Sequence, residues 1–148
     1  IRKAMIYISR RTNGCVKFVQ RTFESDYIRF FRGQGCNSFV GRIGGRQSIS
    51  IGKNCEHFNI IVHEINHALG FNHEHSRPDR DKYIRIVWEN IEEGKESNFR
   101  KSSPRDVRLL SPFDIRSIMM YRDTAFSKNG RPTILTKSGK KIARIKRE

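Results

Sequence analysis

Nowhere do these 148 residues run to the roughly 20 consecutive apolar side chains that a membrane span requires, so no transmembrane helix is read. The opening IRKAMIYISRR likewise has no long apolar run followed by a small-residue cleavage site, and no secretory leader is read in it. Internal repeats and low-complexity blocks are absent, which excludes solenoids and extended linkers. Acidic side chains are scarce: 15 Asp and Glu face 30 Lys and Arg, for a formal charge of +15. Such a balance can draw acidic peptides, sulfated glycans, anionic lipid or nucleic acid, and charge alone does not choose among them. The cations run from Arg2 to Arg147, with a modest concentration from Lys137 onward. No nucleic-acid motif accompanies them, so they read as a solvated basic surface and no nucleic-acid partner is expected. Cysteine is sparse and odd in number: of Cys15, Cys36 and Cys55, one pair can close a disulfide and leave one thiol over.

What is present is a globular composition. Hydrophobic residues make up 36% of the chain and include ten Phe, enough large apolar side chains to offset ordering entropy within a single domain. Ala4, Met5 and Ile8 fall at helical spacing within residues 1–11, and Asn13 and Gly14 stop that helix. β-branched and aromatic residues then predict short strands at Val16 to Phe18, Tyr27 to Phe31, Ser38 to Val40 and Gln47 to Ile51, separated by glycines. From Glu56 to Leu69 the pattern turns helical, with Phe58, Ile61, Ile65, Ala68 and Leu69 near one face, and Gly70 ends it. Beyond it a short extended piece is expected at Tyr83 to Val87 and a polar helix at Trp88 to Phe99. Pro104, Pro112 and Pro132 then break the chain into loops. The expected class is α+β: a small mixed sheet, a central helix and an irregular C-terminal half.

That central helix carries His63-Glu64-Ile65-Asn66-His67, followed by Gly70 and His73. Two histidines four apart project from one helix face about a turn apart, so both imidazoles can reach one zinc ion. Glu64 sits just around the helix, beside the metal without being a ligand, where it can act as general base on a water activated by zinc. His73 cannot share that face on a continuing helix, so the chain must turn at Gly70, the residue free to take a left-handed conformation. Three neutral imidazoles leave a fourth position open, as catalytic rather than structural zinc sites do. With equal residue usage the His-Glu-x-x-His core arises by chance in roughly one chain in fifty of this length. The five fixed positions through His73 need roughly twenty thousand such chains. His57 and His75 lie outside this spacing and read as structural or exposed.

The stretch His63 to His73 resembles the extended zinc signature of the metzincin peptidases, and its continuation His73-Glu74-His75-Ser76-Arg77-Pro78-Asp79-Arg80-Asp81 resembles the astacin branch. The likeness extends to Cys15-Val16-Lys17-Phe18-Val19, Asp26-Tyr27-Ile28, Gly35-Cys36, Val40-Gly41-Arg42 and Ala125-Phe126-Ser127-Lys128-Asn129-Gly130, covering roughly residues 1 to 137. Ser117-Ile118-Met119-Met120-Tyr121 resembles the family's Met-turn. Met119 takes the methionine role beneath the ligands, and Tyr121 that of the tyrosine that approaches the metal. The family's usual histidine between them is Met120 here, and its common glycine before the serine is Arg116. Taken alone, Met-Met-Tyr would read as core packing.

The resemblance implies a secreted, extracellular zinc endopeptidase holding one catalytic Zn2+ on His63, His67 and His73. Glu64 serves as general base, and Tyr121 helps stabilise the oxyanion. Protein or peptide substrates would lie extended and antiparallel to an edge strand near Asn37 to Val40. An acidic side chain just after the cut fits the basic excess. Cys36 and Cys55 match a family disulfide, in keeping with an oxidising compartment. Cys15 matches a cysteine whose family partner lies near the domain's C-terminus and has no counterpart here. Glu74 resembles the glutamate that pairs with the mature enzyme's N-terminal ammonium. The 148 residues are expected to form one peptidase domain, an upper sheet-and-helix half and an irregular lower half meeting at a zinc cleft, shortened at both ends relative to the family. Two rival readings stand: a catalytically inactive zinc-binding remnant, motivated by the shortened ends and by Met120 and Arg116, and a polyanion-binding module using the basic surface. The sequence carries no signal for oligomeric state.

Overall fold

A computed structural model describes residues 1–142, so residues 143–148, including the end of the basic tail, lie outside the described residues. The chain divides into two compact units, one over residues 1–71 and one from Asn72 onward.

The first unit opens with helix α1, Arg2–Arg11. Its buried stripe is Ala4 and Ile8, four apart as an amphipathic helix requires, while its arginines face water. Strands β1 (Tyr27–Phe31), β2 (Cys36–Ser38) and β3 (Arg46–Ile51) form a sheet in the order β1-β3-β2. β1 runs parallel to β3, with Tyr27 opposite Arg46, and β2 runs antiparallel to it, with Cys36 opposite Ile51. Residues 32–35 leave the sheet and return, and Gly52 sits hard against them. A Cβ on Gly52 would lie 2.5 Å from the Gly33 carbonyl oxygen, so only glycine fits there. Helix α2, Phe58–Ala68, packs against α1, β2 and β3 and buries Ile61, Val62 and Ile65, as β3 buries Ile49 and Ile51. Tyr7 of α1 meets Phe58 edge-on at 5.3 Å.

The strand expected at Val16 to Phe18 does not form. The two side chains are half-buried in alternation, yet the segment pairs with no strand among the described residues, and the Val16 amide instead bonds the Thr12 hydroxyl at 3.1 Å. Alternation reports which side faces the core; a strand also needs a ladder partner. β2 begins two residues earlier than expected and stops at Ser38, whose hydroxyl donates to the Phe39 carbonyl at 2.8 Å just before Gly41 turns the chain at φ +75°.

The second unit is built mostly of turns. Strands β4 (Ile84–Ile86) and β5 (Ile134–Thr136) pair antiparallel, the second where a loop was expected. The polar helix expected over Trp88 to Phe99 is instead two single 3-10 turns, Trp88–Asn90 and Glu96–Phe99. Gly94, at φ +78°, breaks the run between them, and Ile91 is drawn into a bridge with Ser127. What drives both is burial: Ile91 and Phe99 join Ile84, Met120 and Ile134 in one core cluster, at 0–4% exposure. Among the described residues no helix is long and apolar enough to cross a membrane.

Candidate metal centre

Helix α2 turns His63 and His67 to the same side, their rings meeting edge-on with centroids 4.7 Å apart. Leu69 caps the helix and Gly70 follows at φ +102°, a conformation that strains any side chain. Both the Gly70 and the Gly41 amides donate to the His67 carbonyl at 2.8 Å, which fastens this end of the helix and starts the turn toward His73. One ring nitrogen from each of His63, His67 and His73 then lies within 4.8 Å of the others, as the extended spacing predicts.

The donor set fits a zinc ion. His67 presents its Nδ1 to the Phe71 carbonyl at 2.8 Å, which fixes Nδ1 as the protonated nitrogen and leaves Nε2 for a metal. Burial lowers the pKa of His67, favouring the neutral imidazole that a metal ion requires. Three nitrogen donors at this spacing suit a mononuclear site with one coordination position left open. Glu64, between the two helical histidines in sequence, is 5% exposed, and burial raises its carboxyl to about 7.

Beside His73 stands a layered aromatic wall. Tyr121 lies 4.5 Å from the His73 ring and stacks on His75 at 3.8 Å, with Phe99 and Phe126 closing in at 5.9 and 5.7 Å. His75 is fully buried and its Nε2 lies 2.9 Å from the Asn98 carbonyl, so it is structural, while His57 is exposed at the head of α2. Desolvation lowers the His75 pKa to about 4, keeping the ring neutral. Arg80 donates to the carbonyls of His75 and Phe99. Met119, 4% exposed, lies in the turn that starts at Ser117, and its carbonyl accepts the Glu74 amide at 2.9 Å. Met120 points into the second unit's core, so an apolar side chain stands where the family usually has histidine. Arg116 is exposed, with its amide on the Asp114 carboxylate. Cys36 and Cys55 form a disulfide, and Cys15 is free and exposed. Sequence reasoning gave no role to Arg77, although it stands inside the quoted signature. Only the fold reveals how many partners it meets.

A buried carboxylate set between two helical imidazoles, with a third imidazole after a glycine turn, defines a three-histidine metal centre of the zinc-peptidase kind. The model of the Astacin peptidase family matches residues 1–147, and the chain belongs to that family. Blastula protease 10 of Paracentrotus lividus is 44% identical over 98% of this chain and 26% of its own length. Zinc metalloproteinase nas-6 of Caenorhabditis elegans is 48% identical over 86% and 38%. This chain thus spans well under half of these curated relatives. Among solved structures, high choriolytic enzyme 1, a hatching enzyme zinc-protease from Oryzias latipes, superposes with a TM-score of 0.81 at 44% identity, covering 90% of this chain and 68% of that one. The three-dimensional likeness bears out the mixed α and β class expected from the sequence.

Proposed function

We propose that this chain is a zinc-dependent endopeptidase domain of a secreted protein, acting on protein or peptide substrates. The observation that carries the reading is the convergence of His63, His67 and His73 around one point, with Glu64 buried in the same helix. A bound zinc ion would supply a Lewis acid that polarises the scissile carbonyl and acidifies a water molecule. Glu64 would take that water's proton on a carboxylate oxygen and pass it to the departing amine. Tyr121, its ring held against His73 and His75, would donate its hydroxyl to the developing oxyanion. β2 pairs on one side only among the described residues, which suits it to receive an extended substrate by strand addition. Secretion is supported by the Cys36–Cys55 bridge, since such bonds persist in oxidising compartments.

The test is hydrolysis of a broad peptide library by the zinc-loaded chain beside Glu64→Ala and a chelated sample. Cleavage lost in both controls is expected. A folded chain holding one zinc and cutting nothing would overturn the reading in favour of an inactive zinc-binding domain.

A further inference from the structure

Arg77 stands four residues beyond the third ligand, and its side chain is 11% exposed. A guanidinium has five N–H donors, and this one meets five acceptors. Nε and Nη2 form a fork on the two Asp79 carboxylate oxygens at 2.9 and 3.0 Å. Nη1 donates to Glu74 Oε1 at 3.3 Å and to the Pro112 carbonyl at 3.4 Å, and Nη2 reaches the Ser111 carbonyl at 3.0 Å. Glu74 is the residue next to His73. Its Oε1 also accepts the Asp114 amide at 2.8 Å, and its own amide donates to the Met119 carbonyl. From Asp114 the chain passes directly into the turn that carries Met119 and leads to Tyr121, with the Ser117 amide on the Asp114 carbonyl at 3.0 Å. Arg77 therefore joins the Glu74 bonds in tying the segment bearing His73, a single 3-10 turn over Glu74–Ser76, to the segment bearing Met119 and Tyr121, which lies in no helix or strand.

We propose that Arg77 is a positioning residue for the metal centre: oriented by its fork on Asp79, its guanidinium clamps Glu74 to the Ser111 and Pro112 carbonyls and so fixes where His73 presents its imidazole. The proposal rests on the zinc-centre reading above, and it assigns to Glu74 an internal cationic partner. A point charge would not do the same work. A lysine ammonium offers three donors from a single atom and cannot span Asp79, Glu74 and two carbonyls at once. Outer partners that orient a ligand typically affect metal affinity by about 10–100-fold.

The experiment compares the 148-residue chain with Arg77→Lys and Arg77→Gln, reading zinc affinity by chelator competition and the visible absorption of the cobalt-substituted protein. Both readouts are independent of peptide cleavage, so a chain that proves inactive still reports on the clamp. Expected is a loss of zinc affinity of about tenfold or more in both variants, with a shifted cobalt band, the lysine failing to rescue. A folded Arg77→Lys with zinc affinity within about twofold of the parent and an unchanged cobalt spectrum would overturn the proposal. Should both variants fail to fold, Asp79→Asn loosens the fork while leaving Glu74 and every ligand in place. A fall of several-fold in its zinc affinity supports the clamp, and parental affinity and spectrum overturn it.

Discussion

Replacing both half-cystines by alanine, C36A/C55A, should lower stability by about 3 kcal/mol, the chain-entropy value for a loop of this size. The bridge spans a sequence separation of 19, and the loop it closes contains all of β3. Nothing in the folded state offsets that loss. Cys55 is 1% exposed, so alanine there leaves a small void that adds to the cost. Cys36 is the first residue of β2, whose ladder holds only three residue pairs, too few to keep its register without a covalent anchor. The damage should therefore concentrate on that strand. Urea unfolding measures the total: with a slope of about 1–3 kcal/mol per molar, the midpoint should fall by about 1–3 M. Hydrogen exchange locates it, with the amides of Cys36–Ser38 losing protection while those of Phe58–Ala68 keep theirs relative to global stability. A midpoint lowered by less than about 0.3 M, with β2 protection intact, would refute the reasoning by showing that the sheet and α2 hold this edge without the bridge.

Two further outcomes follow from the aromatic wall beside His73. Tyr121→Phe keeps the ring stacked on His75 and removes only the hydroxyl, so turnover should fall by about 10²–10³ while zinc affinity and thermal midpoint stay put. Steady-state kinetics beside a zinc titration check it, and unchanged turnover would remove the hydroxyl from the chemistry. Phe99→Ala empties a fully buried position in contact with His75, Trp88, Tyr121 and Phe126 and should cost about 3–5 kcal/mol by chemical denaturation. A loss below about 1 kcal/mol would mean that this cluster is not the core of the second unit.

The parts of the molecule legible in the sequence are those whose signal is local. Helix α2 announced itself through the spacing of Phe58, Ile61 and Ile65, and the convergence of the three histidines through fixed intervals that a helix and one glycine turn convert directly into geometry. β1 was legible because β-branched and aromatic residues crowd Tyr27 to Phe31 between turn signals. What escaped depends on partners distant in sequence. The run at Val16 to Phe18 has no neighbouring strand among the described residues, and no local pattern could say so. Ile134 to Thr136 became a strand because Ile84 to Ile86 lies beside it, 48 to 52 residues away in the register pairs. The run from Trp88 to Phe99 has helix-compatible residues, yet burying Ile91 and Phe99 together outweighs that preference once Gly94 breaks the run. Arg77 illustrates the limit most plainly: its two acidic partners are close in the chain, but the carbonyls of Ser111 and Pro112 are 34 and 35 residues away.

Met120 tests whether this departure from the family's customary histidine belongs to the fold itself. Its side chain is 4% exposed and sits among the apolar side chains of Ile84, Ile91, Phe99 and Ile134. Met120→His would bury two ring nitrogens there and remove an adaptable thioether from beside the Phe99 ring. An unpartnered buried polar group costs about 1–3 kcal/mol, so the variant should unfold at correspondingly lower urea, and more so as pH falls through the imidazole's ordinary range, since only the unfolded chain can accept the proton freely. Zinc affinity should change little, because the carbonyl that receives the Glu74 amide belongs to Met119 and the Met120 side chain points the other way, into the core cluster. Equal or greater stability in the histidine variant would show that this pocket accommodates a polar ring, and that methionine is not what its packing demands.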